Sequence, residues 1–369
     1  MYFLYSYKSF DSNYKIAIKQ FGLKIYSLNS KQKAHITDKY KSIYEKRNKI
    51  NRALNKSEDG EIRFDFQKRK EMENDEDLKY LIYMIRQKKI KPVFHKKIES
   101  LLNSVLVLEI DSFKLSKYID NDDFRIFIHQ FIDFHCIFDS NLKGKKNENE
   151  VSLPYQMREM YRLKKNPDFE DLVNELLIKY IFNFNNQSSY GCFFVNESFE
   201  RYLAIICKFC NSISFDELFK FIEILEIFFT NSKLFQNNIL NDTLIIESLL
   251  IKKESNNIEK EFVLKTGIIY KYSKLEKYYS NEDLSAILHY IYDVRSIIIH
   301  GNLEKIFDCY NKLSLKCKSF ICPKFGGVSK MQKKILILKF TESISYKFVK
   351  IILFYWINNN DEISFLKNN

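Results

Sequence analysis

Two side chains in the last third of the chain have the chemistry to handle a phosphodiester. They are Arg295 and His300, within the run NEDLSAILHYIYDVRSIIIHGN at residues 281–302. A guanidinium presents a rigid fork of donors to phosphoryl oxygens, and an imidazole exchanges protons near neutral pH. Together they suit general acid–base cleavage of RNA, in which a ribose 2′-hydroxyl attacks its own phosphodiester. Asp293 can orient or charge-tune His289 or His300. Ser296 is a polar neighbour of the arginine, and the sequence shows no activating base that would make it a nucleophile.

The element that must carry these groups is a helix. Leu284, Leu288, Ile291, Ile297 and Ile298 recur at helical spacing, and Gly301 sits where a helix would stop. His300 is then a last-turn residue, where the helix C-terminus favours an imidazolium. At about 100° per residue, His289, Asp293, Ser296 and His300 share one sector, and Arg295 lies roughly 140° from His300. One phosphate held by both requires an unwound last turn, the reach of the arginine side chain, or a second copy of the helix across an interface. The plainer roles are a surface ion pair with an acid on a neighbouring helix for Arg295, and capping or packing for His300.

The segment YDVRSIIIHG, Tyr292 to Gly301, resembles the signature of the Apea-like branch of the HEPN superfamily, in which an arginine precedes a histidine by a few residues. IIESLL at residues 245–250 and EFVLKTGIIY at residues 261–270 are similar to the helices that precede that signature, and the resemblance covers roughly residues 212–356. It implies a C-terminal HEPN helical bundle, a homodimer in which Arg295 and His300 of both chains face one RNA cleft, and metal-independent endoribonuclease activity with no cofactor. It also implies antiviral or abortive-infection defence, with Asp293 and Ser296 in supporting positions. The alternative is a non-catalytic HEPN module for RNA binding or protein interaction.

A length of 369 residues points to two domains, and scarce glycine (8) and proline (4) favour helices over glycine-rich loops. The fold class expected is mainly α, with an N-terminal domain either mixed α/β or largely helical. Residues 1–190 form a region assigned to sensing or regulation by a phage-derived or host-derived trigger. Residues 191–211 hold the boundary, residues 212–357 the helical domain, and residues 358–369 a polar tail. The formal charge of +12 is compatible with RNA. Seven cysteines, an odd number, with no secretory leader point to a reducing, cytoplasmic compartment. Residues 335–356 are apolar, but Lys339, Glu342, Lys347 and Lys350 interrupt them too closely for a membrane span.

Upstream, a basic segment contains Arg86, Lys88, Lys89, Lys91, Lys96 and Lys97, read either as an RNA-binding patch or as a solvated face. VLVLEI at residues 105–110 is the best strand of the N-terminal half. Glu109 and Asp111 beside it, and His129, Asp133 and His135 further on, offer ligand types without a convincing metal pattern, so edge-strand, loop and packing roles are expected. Cys207 and Cys210 sit in a helical run and read as structural thiols. Helices are expected over residues 39–56, 168–183, 199–209, 215–229, 244–253, 262–272, 284–300 and 329–357. Residues 316–334 form a basic connector, either a mobile loop that contacts RNA or an ordinary link.

Overall fold

The computed structural model describes residues 2–6, 15–54, 102, 105–120, 123–134, 197–230, 234–273, 279–318, 320 and 322–368. The patch from Arg86 to Lys97, His135, the helix expected over residues 168–183 and part of the 191–211 boundary lie outside them. The described residues divide into two compact units, one ending at Lys117 and the other beginning at Tyr118.

The first unit is a small antiparallel sheet with helices. Strands β1 (Tyr2–Ser6), β2 (Lys15–Ile18), β3 (Leu23–Ser27) and β4 (Val105–Ile110) lie in the order β1-β4-β3-β2. Alternation in β3 buries Leu23, Ile25 and Ser27, and Leu23 and Ile25 stand opposite Ile110 and Leu108 of β4. The edge position expected for β4 is corrected: it is an interior strand, hydrogen-bonded on both sides. Its charged residue is tolerated there because Lys24, directly opposite, places its ammonium 2.6 Å from the Glu109 carboxylate. Asp111 accepts from the backbone N–H groups of Phe113 and Lys114, opening the short helix α2 (Ser112–Leu115). Before it, Gly22 closes the β2–β3 turn at φ +64°, and a Cβ there would stand 2.5 Å from that of Asp111. Both conditions demand glycine. Helix α1 (Ser30–Leu54) starts at Asn29, which exchanges backbone and side-chain hydrogen bonds with Gln32, and it buries Ile36 and Tyr40 one turn apart.

The second unit is helical. It comprises α3 (Phe124–Asp133), α4 (Glu197–Ser212), α5 (Phe215–Phe229), α6 (Phe235–Leu250), α7 (Ile258–Ser273), α8 (Asn281–Ile299), α9 (Ile306–Lys316), α10 (Lys330–Asn358) and α11 (Asn360–Asn368). Helix α5 has the bounds its apolar stripe predicts, starting from a Ser214–Glu217 capping box and burying Leu218, Phe221, Ile224 and Leu225. Helix α10 is the axis of the bundle and packs on α4, α6, α7, α9 and α11. It starts from a second capping box, Ser329–Gln332, and buries residues from Ile337 to Ile357.

Helices far upstream of residue 212 share this core. Phe134, just after α3, sets its ring edge-on to Tyr202, Phe221, Phe228 and Phe229, and Phe209 meets Trp356 at 5.0 Å. Residues 358–369 are polar in composition, yet α11 forms within them. Ile363 is buried, and Asn360 bonds both the Trp356 indole and Glu217.

Candidate phosphodiester site

Helix α8 is fixed at both ends and along its length. The Ser280 hydroxyl accepts from the Asp283 backbone N–H. The fully buried Asp283 carboxylate accepts from the backbone N–H groups of Lys318 and Phe320, at 2.9 and 3.0 Å. That bond pair ties the basic connector after α9 to α8. Tyr310 adds a hydroxyl bond to the Pro323 carbonyl and a ring contact with Phe325. Midway, the Tyr290 hydroxyl and Thr341 Oγ1 lie 2.6 Å apart in the core, locking α8 against α10.

The C-terminus is a Schellman cap. His300 occupies the cap position at φ −83°, ψ 2°, with its N–H on the Ser296 carbonyl. Gly301, at φ +68°, donates to Ile298, and Asn302 donates to Ile297. Helical hydrogen bonding thus runs through the amide of His300, and the last turn is not unwound. His300 and Arg295 therefore keep their separation of roughly 140° around the axis. The His300 side chain is exposed, as is its neighbour Ile299 at 51%.

Arg295 points elsewhere, to α6. Its Nη2 donates to Glu247 Oε2 at 2.9 Å, with both side chains mostly covered (24% and 15% exposed), and its guanidinium carbon lies 5.3 Å from the centre of the Tyr292 ring. Burial raises the Glu247 pKa above its ordinary value, against the opposing pull of Arg295. Burial likewise raises Tyr292.

Asp293 and His289 are electrostatic neighbours, joined by Glu259 from the first turn of α7. His289 Nδ1 and Glu259 Oε1 are 2.9 Å apart. Burial, then the nearby Glu259, raises the Asp293 pKa, and the Cys309 thiol lies 3.8 Å from its carboxylate. Burial and that carboxylate push the thiol itself up to about 12, so Cys309 is a packed thiol and no nucleophile at neutral pH. Of the expected set, the structure groups Asp293 with His289 and leaves Arg295 and His300 on separate faces. Ser296 is half-buried beside Arg295 in sequence and contributes its carbonyl to the cap.

Sequence reading did not assign Glu247 a role, although it is the lone charge in the apolar run TLIIESLLI. No group of three or more His, Cys, Asp or Glu among the described residues is placed to hold a metal ion. Among the described residues Cys207, Cys210, Cys309, Cys317 and Cys322 form no disulfide, and Cys210 is fully buried. No helix among the described residues is long and apolar enough to cross a membrane. Comparison with family models, with curated proteins and with solved structures gave no match to this chain.

Proposed function

We propose that the helical unit is a HEPN-type endoribonuclease that cleaves RNA without a metal, acting as a homodimer in defence against phage. The observation that carries this reading is the end of α8: an exposed histidine on a rigid glycine-capped turn, and five residues earlier an arginine held in place by Glu247 and Tyr292. Their angular separation on a regular helix supports a composite cleft between two copies, faced by Arg295 and His300 of both. Exposed Ile299 beside His300 supplies apolar surface for such a contact.

In this reaction the ribose 2′-oxygen attacks the adjacent phosphorus and the bond to the 5′-oxygen breaks. One His300 takes the 2′-hydroxyl proton, and His300 of the second copy protonates the leaving 5′-oxygen. Arg295 holds the phosphoryl oxygens and stabilises the added negative charge. The products are a 2′,3′-cyclic phosphate and a 5′-hydroxyl. RNA is the substrate because DNA lacks the attacking group.

One observation favours a second reading, a non-catalytic RNA-binding or interaction module. Arg295 already has a carboxylate partner, as a structural ion pair would. Incubating the purified full chain with single-stranded RNA in excess EDTA separates the two. Cleavage that is lost in a folded His300→Ala variant supports the nuclease, and binding without turnover supports the module.

A further inference from the structure

Residues 303–334 hold eight lysines against two carboxylates, Glu304 and Asp308, a formal +6 and half of the chain's +12. The structure lays these lysines along α8, from the turn that follows His300 at its end to its first turn, where the Lys318 ammonium lies 3.2 Å from Glu282. The turn after the histidine runs directly into the 3-10 segment Leu303–Lys305 and α9, which packs on α8. The start of α10 is tied to the same turn, since Glu304 lies 2.7 Å from the Lys330 ammonium and 3.9 Å from that of Lys334. The ammonium groups of Lys330 and Lys333 lie 5.7 and 6.0 Å from the centre of the Phe307 ring. Lys305, Lys312, Lys316 and Lys324 are exposed, and the connector that carries Lys324 is pinned by Asp283 and Tyr310.

We propose that this α9–connector–α10 surface is the track along which single-stranded RNA reaches the end of α8. A run of ammonium groups spaced over two helices and a fixed connector follows a phosphate backbone, and exposed apolar side chains among them offer a face to unstacked bases. Met331 is 68% and Leu315 86% exposed within this surface. Facing these eight lysines are Glu304 and Asp308, Glu282 of α8 at 3.2 Å from the Lys318 ammonium, and Asp293 of α8 beside Lys312, so the lysines outnumber the carboxylates two to one and the surface keeps a net positive charge. The assignment deepens the ribonuclease reading but rests on binding alone.

The test uses the full chain carrying His300→Ala, so that no turnover intervenes, and a fluorescent 20-nucleotide oligouridine titrated by anisotropy across a salt series. The variant Lys312→Gln/Lys316→Gln/Lys324→Gln alters exposed positions outside the Glu304 pairs. Its reference, Lys208→Gln/Lys253→Gln/Lys271→Gln, removes the same charge elsewhere on the helical unit. The expected result is a slope of log affinity against log salt shallower by about 2, with affinity lowered on the order of tenfold or more near 0.1 M salt. The reference variant should change neither by a comparable amount. Equal effects of the two variants, no RNA binding by the parent, or equal retention of anionic vesicles or polyglutamate would overturn the assignment to RNA. The ribonuclease reading is judged separately, by cleavage in the chain with His300 intact. RNA bound through this surface without turnover ends that reading and leaves the track, whereas His300-dependent cleavage with an unchanged KM in the triple variant does the reverse.

Discussion

Arg295 on α8 donates to Glu247 on α6 across 2.9 Å, and the other oxygen of that carboxylate is buried with no hydrogen-bond partner among the described residues. A carboxylate held this way orients the guanidinium and also carries an electrostatic cost.

The cost is readable as a pH dependence. The folded pKa of Glu247 lies above the ordinary 4.5. The folded chain therefore binds more protons than the unfolded chain between those two values. The stability Glu247 contributes is present below the unfolded value and is lost as pH rises through the folded one. Glu247→Gln removes that loss. Urea unfolding from pH 4.5 upward should show the variant gaining on the parent as pH rises, and parallel curves would contradict the burial-driven shift. Glu247→Ala, which leaves Arg295 without its partner, should cost about 1–3 kcal/mol.

Asp283 binds two backbone N–H groups of the connector from a fully buried position. Asp283→Ala leaves both donors unmet and should cost roughly 3 kcal/mol of unfolding free energy. Asp283→Asn keeps one acceptor oxygen and should lose less. Equal midpoints for parent and Asp283→Ala would show that the connector does not depend on this anchor.

Gly301 stands at φ +68°, with nothing within 4 Å of where a Cβ would be. The cost of Gly301→Ala is therefore one of backbone conformation, about 1 kcal/mol, without a clash. A thermal midpoint unchanged within error would contradict it. Because this residue closes the cap that holds His300, turnover should fall by more than stability alone explains.

The helices were legible where their signals are local. The capping residue and apolar stripe of α5 set its bounds at Phe215 and Phe229, and Gly301 marks the end of α8. Helix α10 was read correctly in extent, but of Leu336, Phe340, Ile344, Phe348, Ile352 and Tyr355, which recur along one face, it buries only Ile344, Phe348 and Ile352, and most of what it buries lies off that face. As the bundle axis it is covered on several sides, which a single stripe does not reveal. What periodicity could not show is pairing between distant segments. The interior place of β4, the aromatic seat of Phe134 among α4 and α5, and the Glu247 partner of Arg295 each depend on residues tens of positions away. Within the candidate site, the histidine's place at the end of the helix was legible. The direction of Arg295 was not, because the acid that turns it lies 48 residues earlier.

A composite cleft requires two copies. Sedimentation of the purified chain should give twice the 44.4 kDa monomer mass, and Ile299→Asp should shift it toward monomer with loss of turnover. A monomer that retains full activity would remove the need for a second His300.

The most direct measurement is a cleavage time course in excess EDTA on one RNA and on the same RNA with a single 2′-deoxy residue at the cleavage site, with product ends identified by mass spectrometry. The account predicts cleavage of the first only, giving a 2′,3′-cyclic phosphate and a 5′-hydroxyl. It further predicts loss of at least a hundredfold in turnover in a folded His300→Ala variant and partial activity in Arg295→Lys, whose single ammonium does not reproduce the fork. Cleavage of both substrates at equal rates, or full activity in His300→Ala, would contradict it.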